Sequence, residues 1–308
     1  MRALYVASPL QQIVPIADEF MEKLRYAMLS DNPVDEPYVD HRPTDPEAAP
    51  SSRPWRAATR ARSTVRGAAW QALLRIDAEH ELESYVQLVA RGPCPEFERD
   101  IRKDVPRTFP TDDEYVRKTP DEVATRVLHA LAHWLKDAAA SQAADALLAA
   151  AAGGGPSPSP VPGPGPGPGP GPVGYMQGMH RWLGPLLSVM PEAPAFACLR
   201  TMVTRWAPGW FGARLAAVRE GSKLVEQLLA ETDPVLHAHL ESKNSGYGRI
   251  VAYPRLLSLY ACMRPLPEVL RVWDALLARG PALVILLPVA EFMGRRDALL
   301  AAPRNPAS

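Results

Sequence analysis

The sequence predicts an all-α fold, on three observations. Apolar residues recur at helical spacing, helix start and stop signals flank those stretches, and no sustained apolar/polar alternation marks a strand. The 308 residues suffice for a substantial core, and 47% hydrophobic with 7% aromatic content suits a helical globular protein.

The elements follow in chain order. Lys23 to Leu29 reads as an opening helix, and Arg66, Trp70, Leu73 and Leu74 lie at helical spacing. Thr119-Pro120-Asp121-Glu122 is an N-terminal signature: a capping threonine, proline at the first helical position and glutamate three residues after the cap. Val123, Val127, Leu131 and Leu135 then line one face. Tyr175, Met179, Trp182, Leu183, Leu186 and Leu187 suit a packed helix beginning near Gln177 and kinked at Pro185. Pro267 opens a helix carrying Val269, Leu270, Trp273, Leu276 and Leu277, and Gly280 stands where a stop is expected.

Two stretches do not suit a compact helical body. About 30–62 is rich in proline and charge, and about 139–172 passes from an alanine run through Gly153-Gly154-Gly155 into a Pro-Gly repeat. Pro-Gly alternation offers no side chains to bury and few backbone donors, so both are expected to be disordered insertions. The expected organisation is one helical domain over 1–303, interrupted at those two places, with a short tail at 304–308.

Composition narrows the function classes. With 34 basic and 34 acidic side chains, no field for nucleic acid or a membrane surface is implied. Cys94, Cys198 and Cys262 are widely spaced and odd in number, as expected of reduced thiols in a cytosolic protein. Met1 to Ile16 lacks a credible signal peptide, and the apolar run Ala282 to Ala290, broken by Pro288, falls short of the roughly 20 residues a transmembrane segment needs. His129 and His133 are four apart on an expected helix, but Ala130-Leu131-Ala132 between them brings no acid, and His237 and His239 are similarly unsupported as metal ligands. No G-x-x-x-x-G-K-[ST] loop exists, so the chain is not itself expected to hold a nucleotide.

Two short motifs flank the second insertion: Ile101-x-x-Asp104-x-x-Arg107-Thr108-Phe109-Pro110, and Gly174-Tyr175-Met176-Gln177-Gly178-Met179. Arg66-x-x-x-Trp70-x-x-Leu73-Leu74 precedes them; Asp233-Pro234-Val235-Leu236 and Leu270-Arg271-Val272-Trp273-Asp274-Ala275-Leu276-Leu277 follow. In this order the five segments resemble the signature of the TBC-domain activators of Rab-type GTPases. A narrower resemblance, to the mitotic-exit and spindle-checkpoint branch, rests on Lys23 to Leu29, on Tyr253 to Leu257 and on Arg264 to Leu270.

The resemblance implies a multi-helix TBC-type fold and a protein with no independent active site, acting in trans on a partner. The partner would be a Rab-like small GTPase carrying its own GTP and Mg2+, so this chain would bring no cofactor or metal. Arg107 would be the charge stabiliser and Gln177 the water-orienting group, with Asp104, Tyr175, Gly178, Arg66 and Trp70 in support. A guanidinium stays ionised and presents several donors, while a side-chain amide can donate to phosphate and accept from water at once. Asp104 could orient Arg107 through a salt bridge or serve as an ordinary helix-cap carboxylate.

The branch resemblance implies a cell-cycle role in mitotic exit, a cytoplasmic protein at the spindle pole, and a scaffold subunit. The alternatives are a catalytically inactive helical scaffold that binds a GTPase or checkpoint partner, and an adaptor with no GTPase partner. Two departures from the family pattern stand out. His180 occupies a position where asparagine is common, and the chain ends soon after Leu300, where relatives often continue. The Pro-Gly insertion would shield or recruit a partner, or be a neutral expansion, and loop closure costs only about 0.6 kcal/mol per doubling of length.

Overall fold

The computed structural model describes residues 22, 25, 28, 29, 39, 40, 63–151, 174–212, 215–263 and 265–302. Among these there is no strand. The helices are α1 (Val65–Leu73), α2 (Ala78–Ala90), α3 (Glu98–Asp104), α4 (Asp113–Lys118), α5 (Asp121–Ala151), α6 (Met179–Val189), α7 (Glu192–Thr201), α8 (Ala216–Thr232), α9 (Pro234–Lys243), α10 (Tyr247–Ser258), α11 (Leu266–Arg279), α12 (Leu283–Gly294) and α13 (Arg296–Ala301). A 3-10 turn, Val105–Arg107, continues α3, and a π-helical turn, Met202–Trp206, continues α7. The all-α expectation is met.

Each long helix buries the stripe its period lays out. Val123, Val127, Leu131 and Leu135 of α5 are all buried, as are Val269, Leu270, Trp273, Leu276 and Leu277 of α11, which stops at Gly280, at positive φ. α2, α5 and α7 pack together around the Tyr85 and Phe196 rings, and α8, α10 and α12 form a second layer. α6 lies between them, in contact with α5, α7, α10 and α11.

Three indoles close the end of α10. Trp210, Trp182 and Trp273 donate Nε1–H to the carbonyls of Leu256, Leu257 and Leu259 at 3.1, 2.9 and 2.8 Å. The last turn of a helix leaves carbonyls short of partners, and here tryptophans from separate parts of the chain donate to Leu256 and Leu257 in that turn and to the capping residue Leu259. The chain then leaves through Leu259 and Tyr260, both at positive φ.

The boundaries differ from expectation in three places. Residues 139–151, assigned from sequence to the second insertion, continue α5 as helix; alanine has the highest helix propensity and no breaker intervenes before Gly153. Gln177 does not lie in the first turn of α6 but in the turn before it, because Gly178 takes φ 108° and the helix starts at Met179. Thr119 ends α4 instead of capping α5, so Pro120 precedes the first helical residue, Asp121. Nearly all of the expected insertion at 30–62, residues 152–173 and the tail at 304–308 lie outside the described residues. So does most of Lys23 to Leu29, of which Arg25, Met28 and Leu29 are described and helical.

Candidate functional site

The Arg107 segment is fixed from below by α5. His129 and His133 sit one turn apart on that helix and face the loop leading into α3. His129 Nδ1 accepts from the Cys94 amide at 3.0 Å, which leaves Nε2–H to face Glu98 Oε2 at 2.8 Å, and His133 Nε2 lies 3.1 Å from the Gly92 carbonyl oxygen. Burial lowers the His129 pKa, and the charge of Glu98 opposes that shift only in part. These two histidines are hydrogen-bonded braces of the loop.

α3 then brings Ile101 into the core and runs into the 3-10 turn, where Pro106 fixes the backbone and Val105 is buried. Phe109, two residues past Arg107, has φ 45°, a conformation that costs a non-glycine residue about 1 kcal/mol or more. Its ring is buried edge-on against Tyr115, at 5.4 Å between centroids, and lies against Gly184 of α6. A β-carbon at Gly184 would sit 2.7 Å from both Phe109 Cε2 and Thr108 Cγ2, so only glycine admits this approach.

The Gln177 segment is held as tightly. Gly174 lies so close to the Phe97 ring that a β-carbon would collide with it, and Tyr175 is buried. The turn is closed by the Met179 amide donating to the Met176 carbonyl at 3.1 Å. Gly178 carries the left-handed conformation against Phe211 and Leu257, at the end of α10 closed by the indoles. Gln177 itself is exposed.

Asp104 joins the two segments. Tyr175 donates its hydroxyl to Asp104 Oδ2 at 2.8 Å, and His180 Nδ1 lies 3.2 Å from the Tyr175 hydroxyl and 3.4 Å from the same carboxylate oxygen. Arg107 Nη1 approaches the other oxygen, Oδ1, at 3.5 Å. The Asp104 side chain is 5% exposed and that of Arg107 60% exposed, so the carboxylate is buried beneath a guanidinium that reaches solvent. Of the two roles open for Asp104 in the sequence, the salt bridge is the one observed; its side chain makes no capping bond.

The protonation pattern is fixed by the same contacts. Burial pushes the Asp104 pKa up, but hydrogen bonds from His180 and Tyr175 and the nearby Arg107 charge more than offset it, leaving the net shift downward. Burial, then the neighbouring Asp104 charge, pushes the Tyr175 pKa up. At neutral pH a carboxylate therefore accepts from a phenol, and neither is poised to move a proton. Among the groups these two segments offer to solvent are the Arg107 guanidinium and the neutral Gln177 amide. Lys103, four residues before Arg107, is also exposed and adds positive charge on that side.

Arg66 and Trp70 sit elsewhere. Arg66 Nε lies 3.2 Å from both carboxylate oxygens of Asp274 on α11, and Trp70 donates Nε1–H to Asp274 Oδ1 at 2.8 Å, with the Trp70 and Trp273 rings in tilted contact at 5.5 Å between centroids. Their connection to the site runs through α6. Thr64 donates its backbone N–H and its hydroxyl to the Val189 carbonyl, and Gly67 lies against that same carbonyl group, so α1 holds the last turn of the helix whose first turn follows Gln177.

Sequence reasoning did not place Asp274 in these arrangements, marked His180 only as a departure from the family pattern near Gln177, and did not single out Gly184. For the last two a signal existed: they are four apart on α6 and share the face turned to the Arg107 segment. In the Asp233-Pro234 motif, Asp233 caps α9 by accepting from the Leu236 amide at 2.9 Å and pairs with Arg296 at 2.6 Å.

Residues 171–299 match the Rab-GTPase-TBC domain, a stretch that includes Gln177 and Asp274 and begins beyond Arg107. The putative mitotic check point protein BUB2 of Dictyostelium discoideum is 29% identical over 237 residues, 77% of this chain and 54% of that protein. The mitotic check point protein BUB2 of Saccharomyces cerevisiae is 25% identical over 230 residues, 74% of this chain and 67% of that protein. The match to the Dictyostelium protein thus spans about half of its length. The crystal structure of the Chlamydomonas flagellar RabGAP TBC domain aligns with a TM-score of 0.58 at 18% identity, over 95% of this chain and 81% of that one, so the likeness of fold extends to the Arg107 segment.

Proposed function

We propose, from the match of residues 171–299 to the Rab-GTPase-TBC domain, that this chain accelerates GTP hydrolysis by a Rab-like small GTPase, with Arg107 and Gln177 entering the partner's nucleotide site in trans. The observation that carries this reading is the Asp104 junction. It ties two segments distant in sequence together at a buried carboxylate and leaves the Arg107 guanidinium and the Gln177 amide accessible.

The chemistry suits these two groups. The transferred phosphoryl group carries dispersed negative charge while a water must be held in line for attack, so the demands are charge and position, not a nucleophile or a base. Arg107 would neutralise the developing charge, worth about 10³ to 10⁵ in rate or roughly 4 to 7 kcal/mol of barrier. Gln177, on a turn fixed by Gly174 and Gly178, would donate to the phosphate and accept from the attacking water. GTP and Mg2+ would be brought by the partner, and this chain would supply no cofactor of its own.

The similarity to the two check point proteins supports a role in mitotic exit, with a scaffold subunit and a spindle-pole location in the cytoplasm as parts of the same proposal. The test is single-turnover GTP hydrolysis over a panel of Rab-like GTPases, with and without a candidate scaffold subunit. One GTPase should be accelerated, and Gln177→Ala should remove most of that acceleration while leaving the complex intact. A chain that binds a GTPase and accelerates none, in either arm, is a scaffold, and the proposal fails.

A further inference from the structure

We infer that His180 is a positioning residue: its imidazole holds the Asp104 carboxylate in the orientation that aims Arg107. The inference rests on the trans-acting reading of Arg107 for its catalytic consequence, but its structural content stands on the chain alone.

The geometry divides the two oxygens of Asp104 between the two segments. Oδ2 takes both groups from the Gln177 side, the Tyr175 hydroxyl at 2.8 Å and His180 Nδ1 at 3.4 Å, while Oδ1 is left to Arg107 at 3.5 Å. Tyr175 has one proton and gives it to Asp104, so its oxygen can only accept from His180. Both neighbours of Nδ1 are therefore acceptors, which requires the proton on Nδ1. Nε2 is buried and faces no partner, and an unprotonated nitrogen is cheaper to bury there than an orphaned N–H. One tautomer fits both contacts of Nδ1.

A single tyrosine bond leaves a carboxylate free to turn about its side-chain axis, whereas the imidazole, hydrogen-bonded to the Tyr175 hydroxyl at 3.2 Å and 3.4 Å from the same carboxylate oxygen, holds that tyrosine and limits the turn. Arg107, at 60% exposure and 3.5 Å, is too loosely held to fix itself. His180 also shares its helical face with Gly184, on which Thr108 and Phe109 rest, so the imidazole and the glycine contact adjacent parts of the Arg107 segment. An asparagine amide at 180 offers an N–H on a shorter side chain, which makes it the conservative replacement.

The first measurement needs no GTPase. Nitrogen NMR of the wild-type protein should show the His180 proton on Nδ1, and relaxation of the Arg107 Nε–H should show it more ordered in the wild type and His180→Asn than in His180→Ala. Arg66 Nε–H serves as an internal control that none of these changes should alter. The proton on Nε2, or equal Arg107 order in wild type and His180→Ala, would overturn the inference, and the wild-type spectrum decides the first point even if His180→Ala does not fold. Against a responsive GTPase, His180→Ala should lower the maximal stimulated rate about tenfold at unchanged affinity for the GTPase, with His180→Asn restoring most of it. A loss of affinity with the rate retained would also overturn the inference. If the wild type stimulates no GTPase, the trans-acting reading falls while the Arg107 order measurement still decides the role of His180.

Discussion

Two aspartates, each joining distant segments and each facing an arginine, behave in opposite ways in this molecule. At Asp274 the arginine is buried with its partner, Arg66 at 9% and Asp274 at 10% side-chain exposure, and Trp70 completes a closed set. At Asp104 the carboxylate is equally buried but its arginine, Arg107, is 60% exposed. The net pKa shifts follow the same division. Burial dominates at Asp274, against the opposing Arg66 charge and Trp70 bond, and raises its pKa, whereas at Asp104 hydrogen bonds and charges outweigh burial and lower it. An arginine sealed with its carboxylate serves the fold; one held from below and open to solvent is available to a partner.

That contrast can be broken by mutation. The largest expected stability effect is at the sealed pair: Arg66→Ala, which strands a buried carboxylate, should cost about 3 to 5 kcal/mol by urea denaturation. Asp274→Asn, which keeps an acceptor for Trp70, should cost less than Asp274→Ala. Next comes Gly184→Ala. Its β-carbon would meet the Phe109 ring and Thr108 at 2.7 Å, so the variant should lose about 1 to 3 kcal/mol and shift the Arg107 segment, read as a drop in stimulated GTP hydrolysis larger than the stability loss explains.

The smallest effect sharpens the comparison through pH. Asp104 has a native pKa below its ordinary value of 3.8, so its contribution to stability is fully present above that value and is lost as pH falls through the native pKa. Asp274, with a raised native pKa, favours folding most below 3.8 and loses that contribution as pH rises through its native value. Acid unfolding of Asp104→Asn should therefore show a shallower loss of stability with falling pH than the wild type, and Asp274→Asn a steeper one.

Much of the fold could be read in the chain because it is local. The four-residue spacing of Val123, Val127, Leu131 and Leu135 and the Gly280 stop are consequences of helix geometry, and the structure contains both. The end of α5 was not legible, because an alanine run next to Gly and Pro reads as low complexity although alanine is a strong helix former. The helix expected to begin near Gln177 begins at Met179, because Gly178 takes a left-handed conformation packed against Phe211 and Leu257. Within the site, Asp104 was recognisable by its spacing from Arg107, but its link to Tyr175 crosses 71 residues of sequence, and that of Arg66 to Asp274 crosses 208. No periodicity carries contacts of that range.

The measurement that bears most directly on the division between the two arginines is single-turnover GTP hydrolysis and thermal unfolding run side by side on Arg107→Ala and Arg66→Ala, with a GTPase that the wild type accelerates. Arg107→Ala should lose about 10³-fold or more of the acceleration with its melting temperature unchanged, and Arg66→Ala should lose stability while its folded fraction still accelerates hydrolysis. Acceleration retained by Arg107→Ala, or lost by folded Arg66→Ala to the same extent, would contradict the account.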